Sequence, residues 1–103
     1  MNRTQMLLLK LMEECNEVSQ RCSKAIRFGL DEVQPGQEKN NEQRIVEELL
    51  DLFAVLQMLA VENILTSANM EDDKLLNELS NRSARIDKYL NYSKELGILK
   101  ETE

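Results

Sequence analysis

The sequence predicts an all-α fold: an antiparallel bundle of about three long helices, completed by dimerisation. Three observations carry that expectation. Apolar residues recur at intervals of three and four through most of the 103 residues. No stretch shows the period-two alternation of a half-buried strand. The second apolar segment is hydrophobic on every face, which two neighbouring helices of one chain cannot fully cover.

In the first segment Leu8, Leu11, Cys15, Val18, Cys22 and Ala25 mark a heptad-type seam. The helix is expected to end at Phe28, because Gly29 suits the left-handed position beyond a helix end. Residues 30–41 are polar and contain Pro35-Gly36, which predicts a loop. Connections of that length are uncommon in small domains and often functional. Asn40 or Asn41 then caps the second helix, with Gln43 at capping-box spacing from Asn40. Leu49, Leu50, Leu52, Phe53, Val55, Leu56, Met58, Leu59 and Val61 surround this helix, which is expected to reach Leu65. A turn over Thr66 to Met70 follows. The third helix is expected from Asp72 to Leu96, with Leu75, Leu79, Ile86 and Leu90 on one side and Gly97 ending it. One domain over residues 1–103, with a short tail at 98–103, is the expected organisation.

Composition narrows the function classes. Hydrophobic residues make up 42 % and charged residues 31 %, too apolar for a disordered chain. Nineteen acidic residues against thirteen basic ones give a net charge of −6, the wrong sign for general nucleic-acid binding. Histidine is absent, which removes imidazole bases, Ser-His-Asp triads and most zinc sites. Cys15 and Cys22 lie two helical turns apart, roughly 10 Å, beyond the ~7 Å reach of a disulfide. They read as buried thiols in a reducing compartment. The longest strongly apolar stretch, Leu52 to Val61, is half a membrane span, and the opening residues lack a signal-peptide pattern. The expectation is a cytoplasmic protein with no membrane partner.

Two acidic clusters carry the chemistry: Glu13-Glu14-x-x-Glu17 and Glu47-Glu48-x-x-Asp51. Glu14 and Glu17 share a helical face, as do Glu48 and Asp51. In an antiparallel hairpin opposing positions have a constant sum. Glu14 with Asp51 and Glu17 with Glu48 share one such sum, so a single register faces both pairs. Four carboxylates from facing helices make a hard oxygen site suited to Mg²⁺ or Mn²⁺. Mg²⁺ is commonly shared with phosphate oxygens, which points to a nucleotide or polyphosphate. Di-iron bundles use Glu-x-x-His pairs, and this chain has no histidine. Paired acids at helical spacing are also common on solvated faces, so a non-enzymatic helical dimer binding a protein partner is the alternative.

Lys10, Arg21 and Lys24 continue the stripe of Glu14 and Glu17, with Arg27 one turn beyond Lys24. Such cations suit a triphosphate tail, or ordinary surface ion pairing. Arg82, Arg85 and Lys88 form a second basic stripe. Asn81 and Tyr89, with Tyr92 nearby, could meet a base or sugar, although core packing explains tyrosines equally well.

The motifs Glu13-Glu14-x-x-Glu17 and Glu48-x-x-Asp51, with the apolar run Leu49 to Leu59, resemble the MazG-like all-α nucleoside triphosphate pyrophosphohydrolases. Residues 23–30 and 88–93 are similar to small single-domain members, including phage-encoded ones. The 30 residues between Glu17 and Glu48 are a longer interval than the family's. The resemblance implies hydrolysis of a nucleoside triphosphate, or its deoxy form, to monophosphate and pyrophosphate, with Mg²⁺, as a homodimer or dimer of dimers. Carried over, Glu14, Glu17, Glu48 and Asp51 would be metal ligands. Glu13 and Glu47 would support them or orient the attacking water. Arg21, Lys24, Arg27, Arg82, Arg85 and Lys88 are the candidate phosphate contacts.

Overall fold

Capping chemistry sets where each helix begins. Asn2 and Asn40 each accept a hydrogen bond from the backbone N–H three residues on, and the Gln side chain there accepts one from the cap residue's own N–H. In the computed structural model, which describes residues 1–66 and 71–100, these boxes open α1 (Arg3–Phe28) and α2 (Asn41–Val61). The third helix, α3 (Asp72–Glu95), has no side-chain cap. Asp72 and Asp73 in its first turn instead complement the helix dipole. No strand occurs among the described residues, and none of the helices is long and apolar enough to cross a membrane.

Helix ends follow left-handed residues. Gly29 (φ 95°) closes α1 with its N–H on Ala25 O at 2.8 Å. Gly97 (φ 78°) closes α3 in a Schellman arrangement, with Ile98 N donating to Ser93 O and Gly97 N to Lys94 O. The expected extension of α2 to Leu65 is corrected. Asn63 adopts φ 61°, Ile64 N reaches back to Leu59 O, and the helix stops at Val61. Asparagine tolerates this conformation better than other non-glycine residues, so the same motif forms without glycine. The turn expected to run on to Met70 falls outside the described residues from 67 onward, as does the tail beyond Lys100.

The chain divides into two compact units, residues 1–68 and 69–103. The first is an antiparallel hairpin of α1 and α2. An Arg3–Glu62 ion pair at 2.6 Å joins the start of one helix to the end of the other. Leu7, Val55 and Leu59 form its buried core, with Leu11 and Ile64 packed against them. The inward line of α1 is Leu7, Leu11, Glu14, Val18, Arg21 and Ala25, each buried or half-buried. The expected seam keeps Leu11, Val18 and Ala25, with Leu7, Glu14 and Arg21 completing the line, while Leu8 and Cys15 face outward. Cys15 is exposed and Cys22 half-buried, so the buried-thiol expectation does not hold for Cys15. The physical reason is that α2 presents the Glu48 carboxylate to Arg21 as well as apolar partners. The polar stripe of α1 therefore turns inward. The second unit is α3, with Leu76, Leu79, Ile86, Tyr89 and Tyr92 exposed along it.

Candidate metal centre

The inward rotation of α1 places Glu14 and Glu17 against α2, where the antiparallel register brings Glu48 opposite Glu17. Each of the three offers a carboxylate oxygen, and these oxygens lie within 4.8 Å of one another. Glu14 is only 3 % exposed, an unusual place for a charged residue. Its Oε1 meets Lys10 Nζ at 3.1 Å, and Lys10 also approaches Glu13 at 3.6 Å. Glu48 Oε1 lies 3.6 Å from Arg21 Nε. Glu14 Oε2 and Glu48 Oε2 are buried without any hydrogen-bond partner.

Crowding of like charges shows in proton affinity. A hydrogen bond to Glu48, then the charge of Glu48, hold the Glu17 carboxyl above its ordinary 4.5. Lys10 is pushed above its ordinary 10.5 by its hydrogen bond to Glu14 and by that residue's charge. A leftover buried acceptor costs about 1–3 kcal/mol, more if charged, and this cluster contains two. Two oxygens with no donor, inside an all-oxygen set, fit a hard divalent cation such as Mg²⁺ or Mn²⁺.

The other expected site residues are placed as follows. Asp51 stands one turn beyond Glu48 on α2, exposed and outside the three-carboxylate cluster. Glu13 is exposed beside Lys10, and Glu47 is exposed and ion-paired to Lys39. Arg21 is half-buried on Glu48. Lys24 Nζ donates to Gln34 Oε1 at 3.5 Å, and Arg27 Nη2 donates to Ser23 Oγ at 2.9 Å. Arg82, Arg85, Lys88, Asn81 and Tyr89 belong to the second unit and are exposed on α3, where Arg82 pairs with Glu78 at 3.3 Å.

Sequence reasoning missed Arg44 and Gln34, and read Asn41 only as an alternative helix cap, where the cap is Asn40 and Asn41 instead fastens the loop. Arg44 was legible: it precedes Glu48 by one turn on the same face of α2. It donates from Nη1 to Gln34 Oε1 at 3.1 Å. Gln34 and Asn41 depend on the path of the loop, which periodicity does not describe. Comparison with family models, with curated proteins and with solved structures finds no match for this chain.

Proposed function

We propose that this chain is a Mg²⁺-dependent nucleoside triphosphate pyrophosphohydrolase of the MazG-like kind. It hydrolyses an NTP or dNTP to the monophosphate and pyrophosphate, and thereby controls a nucleotide pool in the cytoplasm. The observation that carries this reading is the pair of partnerless buried oxygens on Glu14 and Glu48, within reach of Glu17. A purely structural seam would place an aliphatic residue at Glu14, between Leu11 and Val18. A solvated acidic face would not bury it.

Glu14, Glu17 and Glu48 would hold the cation, with Asp51 joining from the next turn. Mg²⁺, or Mn²⁺ in its place, supplies neutralisation of charge on the phosphate chain. Glu13 and Glu47 stand beside the buried pair and remain accessible to water, as residues that orient a nucleophile must be. One of them would accept the proton of a water attacking the α-phosphorus as the bond to the β-phosphate oxygen breaks and pyrophosphate leaves. Arg21, Lys24 and Arg27 continue the same face of α1 and would hold phosphate oxygens. On α3, Arg82, Arg85 and Lys88 are further candidate phosphate contacts, and Asn81 and Tyr89 candidate base or sugar contacts.

Assembly as a homodimer, or a dimer of dimers, is part of the proposal. It is supported by Leu50, Phe53 and Val61, which stay exposed on α2. The test is the thermal midpoint with Mg²⁺, with a non-hydrolysable triphosphate, and with both. A metal-nucleotide site gives a joint upward shift larger than either alone, because ligands of the native state stabilise it. No shift would refute the proposal and favour the protein-binding alternative.

A further inference from the structure

We propose that Lys24, Arg44 and Gln34 form an anion subsite that holds the β- and γ-phosphates and then the leaving pyrophosphate. That these phosphates are the occupant rests on the hydrolase proposed above; the anion site itself does not. The half-buried Lys24 ammonium and Arg44 guanidinium converge from different helices on one oxygen, Gln34 Oε1, at 3.5 and 3.1 Å. A carboxamide oxygen accepts from both but leaves both charges uncancelled. Among the described residues neither cation has a carboxylate within ion-pair distance. Glu48, one turn on from Arg44, is engaged by Arg21, and Glu47 by Lys39. In a chain with net charge −6, two cations gathered on a neutral acceptor form a local positive site.

The loop holds this arrangement in place. Pro35-Gly36 forms a turn closed by Gln37 N to Gln34 O at 3.0 Å, with Gly36 at φ 80°, which requires glycine at that position. Asn41, 2 % exposed, donates from Nδ2 to Gly29 O at 2.8 Å and to Glu32 Oε1 at 3.2 Å. Asn41 N and Glu42 N bind Glu32 O and Leu30 O, fastening the loop to the start of α2. Arg44 also lines an open recess of about 370 Å³ with Gly36, Gln37, Glu38, Lys39 and Glu47, a recess that Lys24 and Gln34 do not line.

Position along the hairpin gives the substrate a direction. Lys24 lies one turn beyond Arg21 on α1, and Arg44 one turn before Glu48 on α2. Along the axes Lys24 therefore sits roughly 10 Å beyond Glu17 and Arg44 roughly 6 Å before Glu48, both toward the loop. With the α-phosphate at the carboxylates, the terminal phosphates point to the loop.

Calorimetric titration of inorganic pyrophosphate into the full chain, in EDTA, tests the subsite without turnover. Wild type should bind saturably. Lys24→Gln and Arg44→Gln should each bind at least ~10-fold more weakly. Gln34→Glu, which places a carboxylate between the two cations, should abolish binding and raise the thermal midpoint. Lys74→Gln, which removes the same charge from α3, should bind as wild type. Absence of saturable wild-type binding, undiminished binding by the variants, or an equal loss in Lys74→Gln would each overturn the subsite. Pyrophosphate binding in a protein that cleaves no triphosphate would refute the hydrolase alone.

Discussion

Replacing Glu14 with Met should stabilise the metal-free protein while removing its response to Mg²⁺. With oxygens within 4.8 Å of each other and an effective dielectric near 20, the Glu14 and Glu48 carboxylates repel by roughly 3.5 kcal/mol or more. The substitution removes that repulsion and one partnerless buried oxygen, which by itself costs about 1–3 kcal/mol. It also loses the contact with Lys10, whose side chain is 52 % exposed and therefore well screened. Methionine fits the line between Leu11 and Val18 and buries apolar surface there. Exchanging a buried charge for an apolar residue of similar volume commonly gains ~1–4 kcal/mol. For a domain of this size each kcal/mol raises the midpoint by about 4–8 °C. Far-UV circular dichroism during heating, in EDTA and then in Mg²⁺, reads both effects. A variant less stable than wild type in EDTA by more than ~1 kcal/mol would refute the reasoning, because Glu14 would then be a structural residue. So would a variant that keeps the wild-type Mg²⁺ shift.

Glu17→Gln and Glu48→Gln should each lower triphosphate turnover by at least ~100-fold with the helical signal intact, and their combination should be little worse than either. Asp51→Asn, at the exposed edge, should retain more activity than both; wild-type rates in Glu48→Gln would exclude that residue as a ligand. The folded state binds the Glu17 proton more tightly than the unfolded chain does, chiefly through the hydrogen bond to Glu48. That contribution is complete below the ordinary 4.5 and is lost as pH rises through the elevated folded value, so metal-free wild type should lose stability with rising pH relative to Glu17→Gln. Mn²⁺ affinity should rise across the same window as that proton leaves, and equal slopes in the two proteins would contradict the assignment. Light scattering at micromolar concentration should give at least twice the 11.9 kDa of one chain, whereas a fully active monomer would show that the exposed face of α2 needs no partner.

Punctuation residues made the helices legible. Gly29, Gly97 and the Asn40/Gln43 box mark boundaries through backbone requirements that depend on few neighbours. The end of α2 was misjudged because the apolar run continues through Ile64 and Leu65 while Asn63 takes the left-handed conformation. The α1 seam was misjudged for a related reason. Hydrophobicity alone favours Leu8 and Cys15, but pairing of Arg21 with Glu48 across the helices turns the neighbouring stripe inward. At the site, the shared register anticipated Glu17 beside Glu48. Glu14 joins that same cluster, whereas Asp51 lies outside it. Gln34 was invisible to periodicity, since a loop side chain is positioned by turn geometry and by Asn41 twelve residues from its partner Gly29.

The most direct measurement is pyrophosphate release from a panel of standard and modified NTPs and dNTPs, with Mg²⁺ and with EDTA. The proposed chemistry requires at least one substrate to yield pyrophosphate and nucleoside monophosphate in equal amounts, only with Mg²⁺, and not in Glu48→Gln. Orthophosphate in place of pyrophosphate, or no product from any triphosphate, would contradict it.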